Sequence, residues 1–276
     1  MTTTATTTTT TTTMTTVTTG RAVSEDGTAI AYDRTGEGPP VVLVGGAMSW
    51  RSFPTLAELA RLLSGRFTVY GYDRRGRGDS GDTGPYAVER EVEDLAAVIE
   101  AAGGSARVWG LSSGAALALR AAAEGLPIER LALYEPPFLL GEGIHRPPAD
   151  HRERLAELAA AGRRGAAISY FMTAVMGAPA FVPLVMRLMP VWKRLKAVAH
   201  TLPYDAAIMG DYALPDLSEV TVPTLVVGGE KSPESLRRAV AAVAEAVPGA
   251  RGHMLAGQNH NVSMKVLAPV LADFFS

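Results

Sequence analysis

A serine between glycines, a late histidine and a few carboxylates near strand ends are the residues here whose types and spacing suit chemistry. Gly110-Leu111-Ser112-Ser113-Gly114 spells G-x-S-x-G. The pattern has a steric basis. A serine on a tight strand-to-helix turn needs neighbours without bulk on both sides, and the turn lifts its Oγ above the sheet edge. The flanks agree: the apolar run Ala106-Arg107-Val108-Trp109 precedes it, and the small-residue helix Gly114-Ala115-Ala116-Leu117-Ala118 follows. A serine hydroxyl needs a nearby base to become a nucleophile at neutral pH. His260 is the candidate base, between the strand-like Met254-Leu255 and the last helix. The chemistry such a pair performs is acyl transfer.

Elements must carry these residues. Val41–Val44, Phe67–Tyr70, Ala106–Trp109, Leu131–Tyr134 and Thr224–Val227 are short apolar runs, each followed by glycine or a carboxylate. Such runs suit strands buried on both faces of a parallel sheet. Between them lie helical stripes: Val88, Val92, Leu95 and Ile99; Leu236, Val240, Val243 and Val247; Val262, Val266, Val270 and Phe274. The alternation predicts an α/β fold, a mostly parallel sheet with helices on both faces. Turn signals at Asp26-Gly27 and Gly36-Glu37-Gly38 predict an antiparallel hairpin over Arg21–Asp33 at one edge. From residue 139 to 212 the pattern becomes helical, Met-bearing and proline-broken, which reads as a cap over the C-terminal sheet edge. Core segments are therefore expected over residues 21–138 and 213–276.

Composition excludes other classes. The chain has 276 residues, 26 basic against 28 acidic, and no cysteine. Disulfides, thiolate metal sites and a cysteine nucleophile are ruled out. A balance of −2 offers no single-sign field for nucleic acid or an anionic membrane, so neither partner is expected. Residues 1–20 are almost all threonine and read as a disordered tail, with neither the basic start nor the apolar run of a secretory signal. The expected location is the cytoplasm. Gly165 to Met186 carries no charge, but Gly177, Pro179 and Pro183 break it, so it reads as a broken cap helix rather than a span. Gly76-Arg77-Gly78-Asp79-Ser80-Gly81 fits G-x-G-x-x-G, yet Pro85 follows it and no acid ends the next strand, so a turn is preferred to a dinucleotide site.

Taken together, the segments resemble the α/β-hydrolase superfamily over nearly all of residues 21–276. Asp73-Arg74-Arg75-Gly76-Arg77-Gly78-Asp79-Ser80 resembles its D-x-R-G-x-G-x-S turn, Val222-Pro223-Thr224-Leu225 its penultimate-strand entry, and Gly257-Gln258-Asn259-His260 its histidine loop. The resemblance implies a sheet of about eight strands and a serine, acid, histidine order. It also implies an aspartate after the penultimate strand, where this chain has Ser232 within Gly229-Glu230-Lys231-Ser232-Pro233. Glu135, ending the preceding strand, is the favoured replacement, as some members, haloalkane dehalogenases among them, place their acid there. Glu230 and the absence of any carboxylate stay open as alternatives. The oxyanion hole is expected from the N–H groups of Ser113 and Ala47, with Met48 as runner-up.

The expectation is a serine hydrolase acting on a small, largely apolar ester or lactone, with no cofactor and no metal. Trp50, Phe171, Met172, Met176 and Trp192 are the candidate substrate contacts, and packing between cap and core explains them equally well. Non-ester chemistry on the same scaffold (C–C hydrolysis, lyase or cofactor-free cyclase) and a non-catalytic ligand receptor remain alternatives.

Overall fold

The computed structural model describes residues 16–276. Most of the expected tail, residues 1–15, lies outside the described residues. Its remainder requires a correction. Strand β1 covers Val17–Val23 and pairs antiparallel with β2, Ala29–Thr35, so Thr18, Thr19 and Gly20 belong to the sheet. Threonine is β-branched and tolerates a solvated strand face, which suits a sheet edge. Thr19 Oγ1 donates to Asp33 Oδ1 at 2.8 Å across the pair.

The remaining strands are β3 Pro40–Val44, β4 Thr68–Tyr72, β5 Ala106–Leu111, β6 Ile128–Tyr134, β7 Thr224–Gly229 and β8 Arg251–Leu255. They form one eight-stranded sheet in the order β1-β2-β4-β3-β5-β6-β7-β8. Pairing is parallel from β4 through β8 and antiparallel at β1, β2 and β4. Val41 to Val44 are all fully buried, as expected for a strand covered on both faces.

Helices cover both faces. α1 is Pro54–Leu63, α2 Val88–Ala101 and α3 Ser113–Ala123. Pro54 opens α1 where its missing N–H costs nothing, and Leu56, Leu59 and Leu63 bury one stripe. Five further helices, α4 His151–Ala160, α5 Arg164–Tyr170, α6 Phe181–Met186, α7 Val191–Val198 and α8 Leu202–Met209, lie between β6 and β7 as a cap. A π-helical turn over Phe171–Val175 follows α5. The uncharged stretch is thus broken as its glycine and prolines predict. Among the described residues no helix is long and apolar enough to cross a membrane. α9, Glu234–Ala246, and α10, Met264–Phe275, complete the core. α1 and α10 cover one sheet face, while α2, α3, α9 and the cap share a second apolar cluster on the other.

Candidate active site

Ser112 sits between β5 and α3 with φ 55° and ψ −123°. A side chain in that conformation is strained, so the surrounding contacts must hold it. They do so through glycines. A Cβ on Gly110 would lie 2.6 Å from Ala115 Cα, and one on Gly114 would lie 2.5 Å from the carbonyl oxygens of Val44 and Gly45. Both outer positions of the pentapeptide therefore require glycine. The Ser112 N–H donates to Tyr134 O at 2.9 Å, tying the elbow to the end of β6.

Glu135 is the next residue. It is fully buried, with φ 46°. Its Oε2 accepts from His260 Nδ1 at 2.8 Å. Its Oε1 accepts the Gly229 N–H at 2.7 Å and the Ser232 hydroxyl at 2.5 Å. Three donors therefore satisfy a carboxylate that water does not reach, which is what burial of that charge demands. Nδ1 bound to the acid leaves Nε2 as the free ring nitrogen, the tautomer that a serine base needs. Glu230 has a different setting. It is exposed and caps the end of β7, its N–H donating to Leu255 O at 3.1 Å.

The histidine loop is fixed from below. Tyr134 Oη donates to Asn259 O at 2.7 Å, and the Lys231 N–H donates to Gln258 O at 2.8 Å. The loop also runs against bare backbone, since a Cβ on Gly229 would lie 2.4 Å from Gln258 O. Ser232 is a site residue that sequence reasoning noticed only as a missing acid. A hydroxyl at that position was the available signal.

The turn after β3 packs against the elbow: a Cβ on Gly46 would lie 2.8 Å from Leu111 O and 3.2 Å from Ser112 Cβ. Beneath it lies a buried ionic cluster. Arg74 makes a bidentate pair with Glu91 at 2.6 and 2.8 Å and reaches Asp205 Oδ1 at 2.8 Å. Arg77 reaches Asp205 Oδ2 at 2.8 Å, donates to Gly46 O at 2.7 Å and to Thr201 Oγ1 at 3.1 Å. Ser113 Oγ donates to Asp205 Oδ1 at 2.8 Å. Burial pushes the Asp205 carboxyl up, but Arg77 and Arg74 outweigh it and hold the group below its ordinary value. One α8 carboxylate thus connects the cap, the elbow and the turn bearing Ala47.

The turn from Asp73 to Ser80 is closed on Asp73, whose Oδ2 accepts the Asp79 N–H at 2.9 Å and whose O accepts from Ser80 Oγ at 2.6 Å. It opens no helix, in keeping with the turn reading of its glycines. Of the five candidate substrate contacts, Trp50, Phe171 and Met172 are buried in the cluster that joins cap and sheet. Trp192 is partly buried beside them, and Met176 is 53 % exposed at the surface. Two surface cavities of about 610 and 390 Å³ lie on the outer cap and beside α3, and neither is lined by Ser112, Glu135 or His260.

A mostly parallel sheet with a strained serine after its central β5, and a buried Glu135 paired with the half-buried His260 at the end of the next strand, suits the α/β-hydrolase class. The comparisons agree, and the chain belongs to the alpha/beta hydrolase family, whose sequence profile matches residues 41–269. It is 52% identical to an alpha/beta hydrolase from Sphaerobacter thermophilus, with TM-score 0.88 over 93% of this chain and 100% of that one. A thermophilic esterase from Thermogutta terrifontis shares the fold at 22% identity and TM-score 0.68, over 94% and 100% of the two chains. So does 2-hydroxy-6-oxo-6-phenylhexa-2,4-dienoate hydrolase from Rhodococcus, at 19% identity and TM-score 0.68, over 95% and 99%. No curated protein matches significantly. The chain is a hydrolase of this family.

Proposed function

We propose that this hydrolase cleaves a small, largely apolar carboxylic ester or lactone in the cytoplasm, with Ser112 as nucleophile, His260 as base and Glu135 as acid. The observation that carries the reading is the 2.8 Å contact between His260 Nδ1 and the buried Glu135. Ser112 Oγ attacks the ester carbonyl carbon as His260 Nε2 takes its proton. The N–H groups of Ala47 and Ser113 hold the oxyanion. The carbonyl re-forms as the alkoxide leaves with the proton from His260. Water, deprotonated by His260, then releases the acid and restores Ser112. Glu135 orients the ring and offsets its transient charge without taking the proton. Trp50, Phe171, Met172 and Trp192 supply apolar surface at the cap–sheet junction, and Met176 the outer edge.

The fold hosts both ester and C–C hydrolases, so the test must read the bond cleaved. Incubation with a fluorophosphonate probe and short p-nitrophenyl esters should label and turn over the protein, and Ser112→Ala should abolish both. Absence of serine-dependent turnover with intact labelling would shift the reading to another bond. Absence of labelling would end the nucleophile assignment.

A further inference from the structure

Charge is segregated along this chain in a way the whole-chain balance conceals. From Leu158 to Tyr204 there is no acidic residue, and Arg163, Arg164, Arg187, Lys193, Arg194 and Lys196 give six basic ones. The rest of the chain holds 20 basic against 28 acidic residues. All six basic side chains are on exposed residues. The same segment carries most of the uncovered apolar surface. Nine large hydrophobic residues are exposed among the described residues, and six lie here: Met176, Phe181, Leu184, Val185, Leu188 and Met189. Leu188 is 87% exposed.

The two features adjoin. Leu188-Met189-Pro190 is exposed and lies along the chain between Arg187 and Lys193, and the Arg187 guanidinium lies 5.8 Å from the Trp192 ring. Arg163 and Arg164 meet Lys193 and Lys196 across the shallow cavity on the outer cap. An apolar tip with a basic rim matches a bilayer surface: the tip enters the acyl boundary while the rim meets anionic headgroups. A second copy docking through the same face would oppose the five charges of Arg163, Arg164, Arg187, Lys193 and Lys196 to five more, Arg194 lying over Trp50 at the cap–sheet junction instead. We infer that the outer cap face, around α6 and α7, docks on an anionic lipid bilayer. The proposed cytoplasmic location supplies such a surface. This docking departs from the expectation of no membrane partner, which rested on a charge averaged over the chain. It does not depend on the identity of the substrate.

The test uses the full chain and phosphatidylcholine vesicles with or without phosphatidylglycerol. The phosphatidylglycerol vesicles should sediment at least about tenfold more protein. That excess should shrink in high salt, as screening shortens the reach of the rim charges. Leu184→Ser with Leu188→Ser, and separately Lys193→Glu with Lys196→Glu, should each lower binding about tenfold. Turnover of a soluble ester should stay unchanged in both, which reports an intact fold. Equal binding to both vesicle types, or none to either, would overturn the inference whatever the variants do. Dimers in lipid-free solution that the leucine variants dissolve would overturn it in favour of a second copy.

Discussion

The Ser232 hydroxyl lies 2.5 Å from Glu135 Oε1, at the position where most relatives are expected to carry the acid itself. The carboxylate stands one strand away, at the end of β6, and the residue left on the β7 side supports it as a donor. The ends of β6 and β7 are adjacent, since Tyr134 pairs with Val227, so both positions reach the same point below His260. Moving the acid by one strand leaves the histidine contact in place.

Glu135→Gln should lower kcat about 10³-fold or more, because an amide cannot accept from Gly229, Ser232 and His260 at once. Glu230→Gln should change it less than about twofold, as Glu230 is exposed. Steady-state rates on a p-nitrophenyl ester decide the matter. A large loss in the second variant alone would reverse the assignment.

Ser232→Ala removes one of three donors from a buried carboxylate. A hydrogen bond to a charged group contributes about 1.5–3 kcal/mol, so kcat should fall by about tenfold or more while KM holds. The informative variant is Ser232→Asp combined with Glu135→Ala. It returns the carboxylate to the commoner position, and its kcat should exceed that of Glu135→Ala alone. No gain would mean that the β7 side can no longer reach His260.

The elements that place Ser112 were legible because their signals are local. Apolar runs closed by glycine marked the buried strands, and G-x-S-x-G marked a turn whose crowding only glycine tolerates. The choice of Glu135 over Glu230 rested on the family resemblance, since some members place their acid at the end of the strand that Glu135 closes, together with the direction of that strand. Two things stayed hidden. Thr18 to Gly20 looked like tail because composition masks a strand that a partner such as Ala29–Thr35 creates. No sequence motif singles out Asp205. Its contacts with Arg74, Arg77 and Ser113 span sequence separations of 131, 128 and 92, and no local pattern encodes them.

Arg77 holds the oxygen of the peptide unit whose N–H belongs to Ala47. The unit is planar and trans, so its C=O and N–H point in opposite directions. Donation from Arg77 and from Ser49 Oγ, both at 2.7 Å, therefore aims and polarises the Ala47 N–H on the far side. Arg77→Lys loses the fork that meets Asp205, Thr201 and Gly46 together. Under the oxyanion role proposed for Ala47, its kcat should fall about 10- to 100-fold with KM little changed, since one oxyanion donor accounts for about 10²–10³. Fluorophosphonate labelling should slow in parallel. A rise in KM at constant kcat would assign Arg77 to ground-state binding.

Asp205→Asn tests the cluster as a stability element. The native carboxyl is held below its ordinary value, so its stabilising contribution is full above the unfolded value of about 4 and is lost as pH falls through the native one. Removing the charge leaves Arg77 without its carboxylate partner in a buried setting. Loss of one member of a buried pair costs about 3–5 kcal/mol, and Arg74 retains Glu91, so the lower end is expected at pH 7. Urea unfolding of wild type and variant at pH 7 and again near pH 3 should show a gap that narrows in acid. Below the unfolded value of about 4 the unfolded wild-type chain takes up a proton that the native carboxyl resists, so the advantage of the charge declines as the pH falls. A gap that stays constant across that range would mean that the charge of Asp205 is not what stabilises the cap–elbow junction.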